Sequence, residues 1–150
     1  MLKQLSVAFA VCMLISCGYQ LKQSPNVGNV HLNAQSDNAF ARAFKRTLNQ
    51  QAAARYRVEI GDEIARERLI TYDTSGRARD VNLQLSVSVK VYDLADQPLF
   101  TDKLLQSRMI TLSGDAQTDN TQKTQVYEDL RSALVYMLSI RLNNIDERQK

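Results

Sequence analysis

A thiol at position 17 and four arginines between positions 66 and 79 are the side chains of this sequence best placed to do chemistry. Cys17 follows Leu14-Ile15-Ser16 and precedes Gly18, closing a stretch from Leu5 to Ile15 that carries no charge and lies just after Lys3. This is the pattern of a bacterial lipoprotein signal. Small Ser16 leaves a peptidase room at the bond before Cys17, while Leu14 at −3 is too large for an ordinary secretory cleavage site. Cleavage there makes Cys17 the first mature residue, with a diacylglycerol on its sulfur and an acyl chain on its freed amine. The uncharged run is eleven residues long, far short of the ~20 that cross a bilayer as a helix, so the expected attachment is covalent. At about 0.8 kcal/mol per buried methylene, several acyl chains hold a domain on a membrane where one lets it go.

Arginine presents a planar fork of donors that suits phosphate oxygens. Arg66 and Arg68 share one side of an expected strand, and Arg77 and Arg79 follow the turn after it, so four guanidiniums gather near one end of a sheet. That end is a candidate site for a phosphorylated lipid or sugar. The competing account needs no ligand: Glu67, Asp73 and Asp80 pair with these arginines on a wet surface. Arg42, Lys45 and Arg46 form a second, weaker basic group that reads as the solvated side of a helix.

Enzyme chemistry has little to work with. There is no nucleophile elbow, no phosphate loop and no H-E-x-x-H pair, and His31 is the only histidine, without a neighbouring cysteine or carboxylate pattern. Asp62 and Glu63 are adjacent, so an extended strand turns them to opposite sides and solvation accounts for both. No metal site and no catalytic residue is expected.

Loss of residues 1–16 removes Lys3 alone among charged groups, leaving 134 residues with 18 basic and 16 acidic side chains. So slight an excess does not suggest a nucleic-acid partner. Cys12 leaves with the signal and Cys17 is acylated, so no disulfide is available and the fold rests on burial and hydrogen bonds. The length suits one domain. The expected organisation is a signal over 1–16, a lipidated tether over 17–27 marked by Pro25, and a folded domain over 28–150.

The elements that must position these groups follow from periodicity. Val30, His31 and Leu32 suggest a short strand, and Ser36, Asp37 and Asn38 offer a cap for a helix whose stripe is Phe40, Ala43, Phe44 and Leu48. From Tyr56 the period becomes twofold, and Val81, Leu83, Leu85, Val87, Val89 and Val91 alternate with polar neighbours, as in a strand with one buried face. Before it, Ile64, Ile70 and Tyr72 mark a less regular strand, joined to it through Asp73-Thr74-Ser75-Gly76. After it, Leu94-Ala95-Asp96-Gln97-Pro98 makes a second reversal, and the phase change across residues 99 to 112 predicts a bulge. Asp119 and Gln122 resemble a capping box ahead of a long helix with Val126, Leu130, Leu134 and Met137 on one stripe. The expected fold is α+β, a two-layer sandwich in the order β-α-β-β-β-α. Two helices cover one face of a four-stranded, mostly antiparallel sheet and leave the other free.

Cys17-Gly18-Tyr19-Gln20-Leu21, this order of elements and the helix carrying Arg141-Leu142 together resemble the LPS-assembly lipoprotein family, LptE, also called RlpB, over essentially the whole mature chain. The resemblance implies a non-catalytic outer-membrane subunit without cofactors. It would be anchored in the inner leaflet through Cys17 and lodged as plug and assembly aid in the β-barrel LptD, a heterodimer that delivers lipopolysaccharide to the outer leaflet. Gly18, rather than aspartate, after the cysteine is similar to outer-membrane members. Lys22 and Gln23 stand where the family often has arginine and glycine. The family's basic residue near the turn between the second and third strands has Arg77 or Arg79 as its counterpart. Its lysine in the last helix falls near Tyr127, with Lys123 one turn earlier. The implied lipopolysaccharide-binding set is Arg66, Arg68, Arg77, Arg79 and Lys123. The alternative is a stand-alone periplasmic lipoprotein that binds a lipid or glycan in an apolar cavity between helices and sheet.

Overall fold

Alternation in the sequence becomes alternation in burial between Val81 and Val91, where all six odd-numbered apolar side chains are buried. A computed structural model of the chain describes residues 27–28, 30–34, 37–49 and 53–148. The signal segment, Cys17, the tether up to residue 26 and Ser36 lie outside the described residues. The elements are β1 (Val27–Gly28), β2 (Val30–Ala34), α1 (Ala39–Lys45), β3 (Leu48–Asn49), β4 (Tyr56–Tyr72), β5 (Ala78–Tyr92), β6 (Pro98–Thr111) and α2 (Ala116–Arg148).

The architecture is α+β, with an antiparallel meander β4-β5-β6 and both helices contributing to one buried cluster on one of its faces. Across the long elements the order is α-β-β-β-α. Three strands make the antiparallel part of the sheet, and the fourth member of the expected mostly antiparallel sheet, β2, joins it in parallel at the β4 edge, giving the order β2-β4-β5-β6. The short β2 lies beside the first five residues of β4 and runs parallel to it, because α1 carries the chain back between them and a crossover returns a strand in the same direction. β1 and β3 pair only with each other, also in parallel.

Side-chain chemistry explains where the helices begin and end. Asn38 caps α1, its Oδ1 accepting from the Ala41 amide at 2.8 Å while its Nδ2 donates to the Gly61 carbonyl of β4 at 2.8 Å. The helix stops at Lys45, short of Leu48. There the amide and hydroxyl of Thr47 both donate to the Phe44 carbonyl and turn the chain into β3. α2 starts earlier than its expected capping box. Asp115 is the cap, accepting from the Thr118 amide at 2.7 Å and, through its carbonyl, from Asp119 at 2.9 Å. Both hairpin turns share one construction, in which Asp73 and Asp93 each accept from two amides further along the turn. Gly76 (φ 80°) and Asp96 (φ 59°) supply the left-handed residue.

The predicted bulge falls at the start of β6, where Leu99 is the extra residue between the Val91–Phe100 and Tyr92–Pro98 pairs, and β4 carries further slips that the sequence does not announce. β6 pairs with β5 without a break from Phe100 to Thr111, whereas β4 slips register between Ile60 and Glu63. Val58 and Ile60 before the slip face the core, and from Glu63 to Leu69 the helix-facing set is odd-numbered, so Ile64 is thrown onto the face that no described helix covers. The mixed pattern of β6 has another cause: Leu104 and Ile110 face the core while Leu105 and Met109 face outward.

α2 crosses the sheet between two rows of ion pairs. Glu63 and Glu67 of β4 meet Arg131 and Lys123, and Asp102 and Arg108 of β6 meet Arg141 and Asp129. Glu63 is therefore not the solvated carboxylate that the sequence suggests. Arg131 holds it in a two-pronged contact at 2.7 and 3.0 Å, with both side chains mostly covered. Arg131→Ala is expected to lower unfolding free energy by about 1–3 kcal/mol. Urea denaturation checks it, and a midpoint equal to wild type would reduce the pair to surface decoration.

Candidate functional site

The candidate basic residues occupy three different places, and of the four arginines only Arg77 and Arg79 lie at the end of the sandwich where β4 turns into β5. Arg66 and Arg68 pair across the sheet with Gln84 and Asn82, the polar side of β5, and so stand on the uncovered face. Arg77 lies in the turn. Arg79, two residues before Val81, falls on the side toward the helices, with its carbonyl accepting from Leu112 at 2.7 Å. Lys123 lies on the helix-covered side and is neutralised by Glu67 at 2.7 Å. Tyr127, one turn further along α2, reaches over β4 and donates to the Arg66 carbonyl at 3.2 Å. Burial first, and then the Glu67 charge, raise its pKa.

None of the three carboxylates expected to neutralise the arginines does so through a salt bridge. Glu67 belongs to Lys123. Asp73 accepts from the Ser75 hydroxyl and from the Ser75 and Arg77 amides, which holds its carboxyl below the usual range. Asp80 is bound by the hydroxyls of Thr71 and Thr111 from the flanking strands, which lower its pKa first, with the Arg79 charge adding to them. Among the described residues, Arg66, Arg68, Arg77 and Arg79 make no salt bridge.

Arg77 and Arg79 line a cleft of about 270 Å³ with Asp73, Thr111, Ser113 and Gly114. Its floor is held by Asp119, whose carboxylate accepts from the Ser113 amide at 2.7 Å, the Ser113 hydroxyl at 2.8 Å and the Gly114 amide at 3.2 Å. Gly114 is needed there because φ is 86°. The Ser113 amide is the main cause holding the Asp119 carboxyl below its ordinary value. A carboxyl lowered by folding adds stability above its unfolded pKa, and that stability disappears as the pH falls through the folded pKa. Asp119→Asn is therefore expected to melt several degrees below wild type near neutral pH, with the gap closing as pH drops below about 4. A gap independent of pH in thermal melts would show that the charge contributes nothing.

Two other clefts open near the ends of α2. One of about 770 Å³ lies beside its first turns and is lined by Ser113, Asp115, Thr118 and Thr121. One of about 410 Å³ lies between Phe100 and Asp102 on β6 and Arg141 and Ile145 near its C-terminal end. None of the three is lined by the buried residues that fill the space between helices and sheet, where the stand-alone binding alternative needs its cavity. Among the described residues no cluster of His, Cys, Asp and Glu could hold a metal ion, and no helix is long and apolar enough to cross a membrane. His31 lies on β2.

No curated protein matches the sequence. Solved structures do. The chain is similar to uncharacterized lipoprotein B from Nitrosomonas europaea (15% identity, 81% of this chain and 88% of that one, TM-score 0.63). It is also similar to rare lipoprotein B from Shewanella oneidensis (10% identity, 80% and 98%, TM-score 0.65). A third likeness is to a minor lipoprotein from Acinetobacter baumannii (16% identity, 81% and 93%, TM-score 0.54). At these identities the likeness is one of fold. The family described as LptE, Lipopolysaccharide-assembly, matches residues 24–142, which takes in α1, β4, β5, β6, the arginine-bearing turn and α2 as far as Leu142. The chain belongs to the LptE lipopolysaccharide-assembly family.

Proposed function

We propose that this protein is a lipid-anchored, non-enzymatic subunit of the outer membrane. It seats in the LPS-assembly barrel LptD, helps it assemble, and assists transfer of lipopolysaccharide to the outer leaflet. The family match over residues 24–142 carries this reading. The leader before Cys17 supports it by supplying an anchor, with 1–16 removed and 17–27 acting as tether to the domain at 28–150. The domain then stays at the periplasmic surface, within reach of a barrel mouth. Lipid A phosphates are the ligand suited to Arg77 and Arg79, whose guanidiniums make no salt bridge among the described residues and border a cleft.

Two measurements test it. A detergent extract purified through this protein should carry a large β-barrel at near-equal stoichiometry, and depletion should lower surface lipopolysaccharide. Absence of both ends the proposal. Arg77→Glu with Arg79→Glu should weaken lipopolysaccharide binding by about tenfold or more, since a charge-assisted hydrogen bond contributes roughly 1.5–3 kcal/mol and 1.4 kcal/mol is a factor of ten. Unchanged affinity at moderate salt returns those residues to the solvated surface.

A further inference from the structure

The uncovered face of β4-β5-β6 has ends that are complete in themselves and a middle that is not. At one end Asp80 ties Thr71 to Thr111 across all three strands. At the other, the Arg57 guanidinium lies 4.2 Å over the Tyr92 ring and pairs with Glu59 and Asp96, while the Tyr92 hydroxyl donates to Glu59 at 3.1 Å. Between these ends three rows are in register: Ile64, Ser86 and Leu105; Arg66, Gln84 and Ser107; Arg68, Asn82 and Met109. Strand spacing makes this block roughly 10 by 13 Å. It holds three large apolar side chains that stay 40% (Ile64), 45% (Leu105) and 65% (Met109) exposed. It also holds the two arginines that no carboxylate meets among the described residues.

We infer that this block is the centre of a protein-docking surface that receives carboxylates of the partner barrel on Arg66 and Arg68, and apolar side chains against Ile64, Leu105 and Met109. The inference rests on the barrel reading above and adds to it the face used and the chemistry of the partner. Charge is the first argument. Glu67, the acidic neighbour of both arginines, is turned to the opposite face by the strand pleat and held by Lys123, and Asp80 is engaged by two threonines. The chain therefore keeps its own acids off this block. Arginines covered without a counter-charge would be strongly destabilising, so what covers them must bring carboxylates. Composition is the second argument. A patch of apolar, arginine and amide groups with satisfied polar ends matches the make-up of a protein interface.

The test uses the full-length lipidated protein co-expressed with its barrel. A photoreactive residue replacing Leu105 or Met109 should crosslink to barrel peptides that contain Asp or Glu. Arg66→Glu with Arg68→Glu should reduce the copurified barrel at least tenfold, leaving thermal melting unchanged. Arg66→Lys with Arg68→Lys should retain most of it, and reversing the crosslinked carboxylate to arginine should restore binding to the double-glutamate variant. Crosslinks to lipopolysaccharide instead of protein, or wild-type barrel recovery with the double-glutamate variant, overturn the inference and leave the barrel reading standing. If the wild-type protein recovers no barrel at all, the functional reading falls and this inference falls with it.

Discussion

Phe44→Ala is expected to lower unfolding free energy by about 3–5 kcal/mol, a large part of the 5–15 kcal/mol typical of a domain. α1 has seven residues, far too few for a helix to persist on its own in water, so its tertiary contacts hold it. Those contacts are few and specific. Phe40 and Phe44 are fully buried and stack at 6.4 Å between centroids with rings nearly parallel, Ala41 lies between them, and Asn38 fastens the start of the helix to the bulge of β4. Removing the Phe44 ring leaves a cavity in the cluster where α1 meets α2, and so short a helix has little else to keep it in place. Urea titration with amide exchange measures the effect. Exchange should quicken first in α1 and in β2, the strand it follows, while β5 stays protected. A loss under about 1 kcal/mol would mean that α1 is not part of the cooperative core.

Delivering the mature chain behind an ordinary secretory leader, with Cys17→Ser, is expected to move it from the membrane fraction to the soluble periplasmic extract when the barrel is absent. A single acyl chain gives only marginal binding, of order 10⁴ M⁻¹, while several chains, at about 0.8 kcal/mol per buried methylene, give stable anchoring. The effect on partitioning therefore spans several orders of magnitude, with none on the melting temperature of the folded domain. Mass spectrometry of the wild-type protein should show residue 17 as the N-terminus with lipid mass added. An intact leader, or a free thiol there, removes the anchor from the proposed function.

Several features of this protein are written locally and are readable without the fold. The β5 pattern is unambiguous because six apolar residues alternate without interruption, and the two reversals on either side of it are marked by Asp73-Thr74-Ser75-Gly76 and by Leu94-Ala95-Asp96-Gln97-Pro98. The cap chemistry offered by Ser36, Asp37 and Asn38, the wide stripe of α2 and the resemblance of residues around Cys17 to the LptE family also need no distant partner to be recognised. These signals arise within a few residues of each other, where backbone hydrogen bonding and side-chain period act directly.

What sits across from each residue had to wait for the sheet to assemble. The slip of register at Gly61-Asp62 reverses which side of β4 is buried, and no local rule identifies it, since the slip exists only relative to β5. It places Ile64 beside Arg66 and Arg68 on the uncovered face and sends Glu63 and Glu67 to the helix side, where Arg131 and Lys123 wait 60 or so residues later in the chain. The same long-range pairing separates one apparent cluster of arginines into a pair on the sheet face and a pair at the tip. It also makes Leu105 and Met109 surface residues where the sequence reads a change of phase. Local sequence sets the period of an element, but its phase relative to the core is a property of the neighbours, and the position of every charged group here depends on that phase.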